Sequence, residues 1–478
     1  MTQSPDDTAS LDPNHWSDFR AQAHAALDAC LDHLQSVSQG PVWRPVPETV
    51  KALFAGPVPY SGMPLDRLLE DCRNTVMPYA TGNLHPRFFG WVHGAGTPIG
   101  IVAEMIAATL NANCGGRDHG AIYVERQVID WCRTIFGLPE TTSGVLTVGT
   151  SMASVVAIAA ARTRALGAQG QDASRLVGYC SSQVHVALKK AFKLLGLGPQ
   201  ALRAIPTEAD FTVAPERVAA AIVADRAAGL QPFLLIGNAG TVNTGAFDDL
   251  TGLAELAARE QVWFHVDGAF GAWARIAGAP LHDLTNGIER ADSLAFDFHK
   301  WISVPYDAGC VLIRDGAAHR AAFAEQPDYL ARGRGLAGGD PWPSDFGIDL
   351  SRGFRALKVW MTLRHYGIDR LGRMIAKNCA GARHLAAAVE SSDVFALAAP
   401  VTLNIVCFRL KEQGDGESDD RRIAAIVERL QLDGIAAPST TRIGGRLCIR
   451  IAILNHRTER ADLDLTLRAA KETLRRQA

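Results

Sequence analysis

DSLAFDFHKWISVPYDAGC, residues 292–310, is an apolar run apt to be a buried strand, and it ends in the adjacent pair His299-Lys300. Lysine is among the side chains least often buried without a partner. One at this position either runs its stem out to water or has a chemical task. What the neighbouring strands carry at their ends decides between the two.

From about residue 100 to 360, short β-rich runs alternate with Ala-rich helical stretches. Candidate strands are GVLTV (144–148), RLVGYC (175–180), FLLIGNA (233–239), VWFHVD (262–267), SLAFDF (293–298) and CVLIRD (310–315), with helices such as ASVVAIAAARTRALG (153–167) between them. Near-continuous apolar strands separated by helices predict an α/β domain with a mostly parallel sheet covered on both faces. Such sheets bind ligands beyond the carboxyl ends of their strands. Residues 1–95 predict a helical arm with little core of its own, which suits docking on a second subunit. Residues 96–360 form the large domain, and residues 361–478, with two strands and a last helix, a smaller α+β domain. KEQGDGESDD (411–420) predicts an exposed loop.

Composition narrows the function. The 478 residues carry 48 basic and 50 acidic side chains with no long block of either sign, which argues against nucleic-acid or acidic-membrane partners and for a small substrate. Nine widely spaced cysteines without a CxxC pair read as reduced thiols in a cytoplasmic protein with no metal site. The first 20 residues lack the pattern of a signal peptide, and no apolar run reaches the length of a membrane span.

Several strand ends carry chemistry. VWFHVD ends in Asp267, a cap or turn residue when taken alone; GVLTV runs into Gly149-Thr150-Ser151 and a helix, either an ordinary N-cap or a phosphate cradle; His185 follows another strand. Together a lysine able to form an imine, a carboxylate for a ring nitrogen, a phosphate cradle and a ring-stacking group are what pyridoxal phosphate requires.

Asp267 in HVDGAFGAW, 33 positions before Lys300, and the run ADSLAFDFHKW resemble the group II pyridoxal-phosphate-dependent decarboxylases, the family of aromatic-L-amino-acid decarboxylase. The resemblance continues through MPYATGNLHPRFFGW (77–91), SSQVHVALKKA, NAGTVNTGAFDDL, LSRGFRALKVW and RLCIRIAILNHRTE. It implies fold type I of the pyridoxal-phosphate enzymes (aspartate-aminotransferase-like) and a homodimer with active sites at the subunit interface. Residue by residue, it implies that Lys300 bonds the cofactor, Asp267 pairs with the pyridine nitrogen and His185 stacks on the ring. Thr150, Ser151 and His299 then meet the phosphate, Ser351 reaches the phosphate of the neighbouring subunit, Ala269 lies beneath the ring, and Asn238, Thr241 and Asn243 border the site.

The segment EQPDYLARGRGLAGGDPWPSD (325–345) predicts a surface loop long enough to act as a lid. Its Tyr329 matches the family's tyrosine that protonates Cα, and tyrosine there favours an amine product over an aldehyde. Phe89, Trp91 and His93 are the substrate-pocket candidates, with Phe88 beside them. The family's aromatic-proline-threonine pattern is replaced by Val92-His93-Gly94, and a second pocket segment reads NCGGRDHG (113–120), in which Arg117 and Asp118 either meet a polar substrate or pair with each other. The expectation is decarboxylation of an aromatic L-amino acid. The alternatives are a polar or acidic amino acid, aldehyde formation, transamination, or a non-catalytic pyridoxal-binding scaffold.

Overall fold

The computed structural model describes residues 10–167, 172–325, 332–411 and 416–476. Among these residues the large domain is built on seven strands, β1 (Ser143–Thr147), β2 (Leu176–Ser181), β3 (Leu202–Ile205), β4 (Gln231–Asn238), β5 (Trp263–Asp267), β6 (Ser293–Asp297) and β7 (Gly309–Ile313), in the order β1-β7-β6-β5-β4-β2-β3. Pairing is parallel from β3 through β2, β4 and β5 to β6, while β7 runs antiparallel to both β6 and β1. The six sequence-expected strands are all present. The additional edge strand, LRAI, is only partly buried, so its sequence lacks the apolar density of the others.

Strand geometry explains why these runs are apolar at nearly every position. Successive side chains point to opposite faces. Leu294 and Phe296 of β6 therefore join one core, with Val177, Tyr179 and Leu235, while Ala295 joins a second, with Leu176, Leu234 and Ile236. Both faces are covered by helices, so neither parity can be polar. Beneath the Lys300 turn, Phe136, Trp273, Phe296 and Phe298 pack with ring centroids 4.9–5.5 Å apart. Each such pair contributes about 0.5–1.5 kcal/mol beyond its burial.

The small domain adds β8 (Phe395–Leu397), β9 (Ile405–Leu410), β10 (Ser439–Ile443) and β11 (Arg446–Ala452), an antiparallel sheet in the order β10-β11-β9-β8. Two corrections follow. GESDD belongs to the Gly416–Leu432 helix rather than to an exposed loop, and its Asp419 is buried. Residues 87–89 do not stay with the N-terminal arm: Phe89 N donates to Ala437 O at 2.9 Å and Ala452 N to Phe89 O at 3.1 Å, which adds a short strand to the small-domain sheet. The first helix, Trp16–Ser36, buries none of its residues in the single chain.

Candidate active site

Four parallel strands deliver the site. β5 ends at Asp267, opposite Asn238 of β4 and Ala295 of β6, so sheet register fixes the carboxylate between its neighbours. Asp267 is buried, and the one hydrogen bond to its carboxylate among the described residues comes from Ala269 N, 3.2 Å away. Burial pushes its carboxyl up, opposed by the charges of Lys300 and His185. β2 leads to His185, whose Nδ1 accepts from Ala187 N and caps the Val186–Leu194 helix. Burial holds its imidazole below its usual range, opposed by the charge of Asp267.

β6 ends at Asp297, a residue for which sequence alone gave no role. Its backbone N–H donates to Ala269 O (3.0 Å) and its carbonyl accepts from Trp273 Nε1 (2.9 Å). The carboxylate thus held accepts from Thr150 N at 2.6 Å and lies 3.1 Å from Lys300 Nζ and 3.7 Å from His299 Nε2. Lys300 is neither paired at a distance nor snorkelling: it sits in the turn after β6 beside this buried acid, its side chain 21% exposed. His299 Nδ1 accepts from Ala308 N, which leaves the proton on Nε2, and burial lowers its pKa.

The helix Thr150–Leu166 starts at Gly149. This start packs so closely on β7 that a Cβ on Gly309 would lie 2.4 Å from Gly149 Cα. β1 is anchored from below by Arg352 and Glu125, both buried, in a bidentate pair (2.6 and 3.1 Å) that also binds the backbone of Leu146 on both sides. Removing one partner of such a pair costs about 3–5 kcal/mol.

These groups fit pyridoxal phosphate. Among the described residues, Thr150 Oγ1 and Ser154 Oγ are buried without a hydrogen-bond partner in the first turns of a helix, where a phosphate can bind, and Asp267 is a buried carboxylate with acceptor capacity to spare for a protonated ring nitrogen.

Other expected residues stand elsewhere. Ser151 is exposed at the helix start; Ala269 is half-buried, its backbone bonded to Asp267 and Asp297. Asn238 bonds Ser181 and Asp248, and Thr241 closes its own turn through Thr244 and Ala246 N. Asn243 bridges Gln183 and Thr441, joining the two domains. Arg450, buried and without an acidic partner among the described residues, bonds the carbonyls of Val242, Asn243 and Trp91; burial brings its pKa down to about 10. Ser351 is exposed, next to Arg352, whose N–H donates to Asn113 Oδ1. Tyr329 lies outside the described residues.

The substrate side needs one correction. Phe89 is 1% exposed in the small-domain core, because pairing with Ala437 and Ala452 turns it inward. Its neighbour Phe88 instead stacks on His93 (5.9 Å, 12°), beside Trp91 at 5.5 Å and Tyr306 at 6.0 Å from His93. Tyr306, a residue sequence reasoning missed, lies 4.4 Å from the His299 ring. Burial and the charge of Lys300 lower the His93 pKa. Gly94 explains the unusual segment: a Cβ there would lie 2.0 Å from His299 O and 2.4 Å from Lys300 O, so only glycine lets this chain lie on the Lys300 turn. Arg117 and Asp118 do not pair with each other. Arg117 stacks on Trp342, whose other guanidinium neighbour is Arg332, and Asp118 accepts from Tyr123. The 332–345 part of the expected surface loop carries three buried residues, Trp342, Pro343 and Asp345.

Comparison with known proteins places this geometry. Residues 47–411 match the family model for the pyridoxal-dependent decarboxylase conserved domain. The chain is similar to an aromatic-L-amino-acid decarboxylase of Bacillus atrophaeus, 31% identical over 446 residues and 92% of each chain. It is also similar to a phenylacetaldehyde synthase of Petunia hybrida, 30% identical over 96% of this chain and 94% of the other. The crystal structure of Oryza sativa TDC with PLP and tryptamine superposes with a TM-score of 0.91 at 29% identity, covering 98% of this chain and 100% of that one. The α/β architecture expected of fold type I is the one present.

Proposed function

Because the chain belongs to the pyridoxal-dependent decarboxylase family and is a pyridoxal-phosphate-dependent amino-acid decarboxylase, we propose that its substrate is an aromatic L-amino acid and its product the corresponding amine. The observation that carries this reading is the group formed by Phe88, Trp91, His93 and Tyr306, an aromatic wall that reaches His299 and the Lys300 turn. Such a wall suits a phenol or indole.

When bound, pyridoxal phosphate supplies a conjugated ring that takes up the electron pair left as carbon dioxide departs. The chain's own residues do the rest. Lys300 Nζ is the point of attachment, and Asp297 holds that nitrogen in place at 3.1 Å. Asp267 would hold a proton on the ring nitrogen, since a buried carboxylate is stabilised by the cation it faces. Thr150 Oγ1 and His299 Nε2 would donate to the phosphate, and His185 would stack on the ring. Tyr329 would deliver the proton to Cα.

We propose a homodimer in which Ser351 and the N-terminal helix serve the partner's site, supported by the helix's lack of buried residues and by the exposure of Ser351. All nine thiols are unpaired and seven are buried, which supports a reducing, cytoplasmic setting. No helix among the described residues is long and apolar enough to cross a membrane.

The test is to incubate holoprotein with a pool of L-amino acids and search by mass spectrometry for products that have lost carbon dioxide. An amine from an aromatic amino acid is expected from wild type, and aldehyde with ammonia and peroxide, at the expense of dioxygen, from Tyr329→Phe. Aldehyde from wild type, or an unchanged product from the variant, removes Tyr329 from the mechanism. An amine from a polar or acidic amino acid instead overturns the aromatic assignment.

A further inference from the structure

Behind the active site lies a cavity of about 520 Å³, between the Trp16–Ser36 helix, the start of the Pro98–Leu110 helix and the Ile368–Glu390 helix. Its size is that of a small-molecule site. Leu31, Leu34, Ile302 and Met374 give it an apolar body, and its polar end is cationic, with Arg370, Lys377 and Arg457. Lys377 is paired with Glu459 at 2.6 Å, and Arg370 lies over the ring of Tyr366. Arg457 has neither: among the described residues its guanidinium makes no ion pair and no hydrogen bond, and its Nη1 is buried without a partner. Two more lining groups share that condition, Thr97 Oγ1 and Ser303 Oγ, on residues 8% and 1% exposed.

An unsatisfied buried donor is costly, and more so when it is charged. Three of them around one cavity are therefore an expensive arrangement unless something accepts their hydrogen bonds. His456 supports a positive local field: burial and the charges of Arg457, Lys377 and Arg370 bring its pKa down to about 4. The missing partner is thus an anion with an acceptor on each of two oxygens, attached to an apolar body.

We propose that this cavity binds a carboxylic acid with an aryl or alkyl tail, its carboxylate on Arg457 and the hydroxyls of Thr97 and Ser303, its tail against Leu31, Leu34 and Met374. The site is separate from the decarboxylation site yet contiguous with it. Ser303 N–H donates to Lys300 O at 3.2 Å, and Thr97 ends the segment whose Gly94 rests on the carbonyls of His299 and Lys300.

The test is isothermal titration of holoprotein with 3-phenylpropionate, with 3-phenylpropylamine as the same body bearing the opposite charge. The acid is expected to bind, the amine not, and saturating aromatic amine product is expected to leave the acid in place. Arg457→Met keeps the apolar stem, removes the charge and should weaken binding about ten-fold or more, the scale of a charged hydrogen bond. Thr97→Val, nearly isosteric, should weaken it several-fold and guards against misfolding of the first variant. Equal affinity in wild type and Arg457→Met, or displacement by the amine product, overturns the proposal. So does a change of oligomer mass on Arg457→Met, which would make a second copy of this chain the occupant.

Discussion

Two walls meet at Lys300, one made by β2, β4, β5 and β6, the other by residues 88–94 and Tyr306. On the first, every functional group follows directly from a strand whose register is locked by its neighbours, and backbone dihedrals are ordinary. On the second, Trp91 (φ 51°) takes left-handed backbone that L-residues rarely adopt. Its side chains come from segments tied to two different sheets. The sheet wall sets the chemistry common to a family, because sheet register tolerates little variation. The loop wall can change sequence without disturbing that chemistry, so selectivity belongs there.

The largest expected effect breaks the sheet wall. Asp267→Ala should lower kcat/KM for decarboxylation by about 10³-fold or more, the scale of removing a buried electrostatic stabiliser. Carbon dioxide release measured over a range of substrate concentrations checks it. A loss under ten-fold would mean that the carboxylate at the end of β5 does not hold the ring nitrogen.

The same contrast explains what could be read from sequence. The strands of the large sheet were legible because both parities are buried, and Asp267, His185 and Lys300 because each stands at or just beyond the end of such a strand. Asp297 is equally well placed, but its task depends on a contact with Thr150, 147 positions away, that no local pattern encodes. Arg352 and Glu125, 227 positions apart, were hidden for the same reason. Phe88 and Phe89 were confused because nothing in HPRFFGW tells that the chain pairs with Ala437 and so turns the second ring inward. β8 is three residues long, and β10 alternates partly buried and exposed side chains, so neither has the apolar run that marks a strand.

Asp297 sharpens the comparison at an intermediate scale. Its carboxylate stands at the same helix N-terminus that would hold the phosphate, so the two anions oppose each other there. Asp297→Asn keeps an acceptor for Thr150 N while removing the charge. It should tighten pyridoxal phosphate binding by about ten-fold, or roughly 1.4 kcal/mol. Titrating apoprotein with the cofactor and following protein fluorescence measures this without reference to turnover. Weaker binding would mean that the hold of Asp297 on Lys300 Nζ outweighs this repulsion.

The smallest effect is expected on the loop wall. His93 is neutral, stacks on Phe88 and faces Tyr306, so His93→Phe preserves an aromatic surface while changing its shape and removing its polar edge. A change of this kind in an apolar pocket is worth about 1–3 kcal/mol of discrimination. The ratio of kcat/KM between indole- and phenol-bearing amino acids should therefore shift by about ten-fold, and the dissociation constant of pyridoxal phosphate should stay as in wild type. Competition between the two substrates in one reaction reads the ratio directly. Should the cofactor constant move as far as it does for Asp297→Asn, then Gly94, resting on the carbonyls of His299 and Lys300, transmits the change, and the two walls are one mechanical unit.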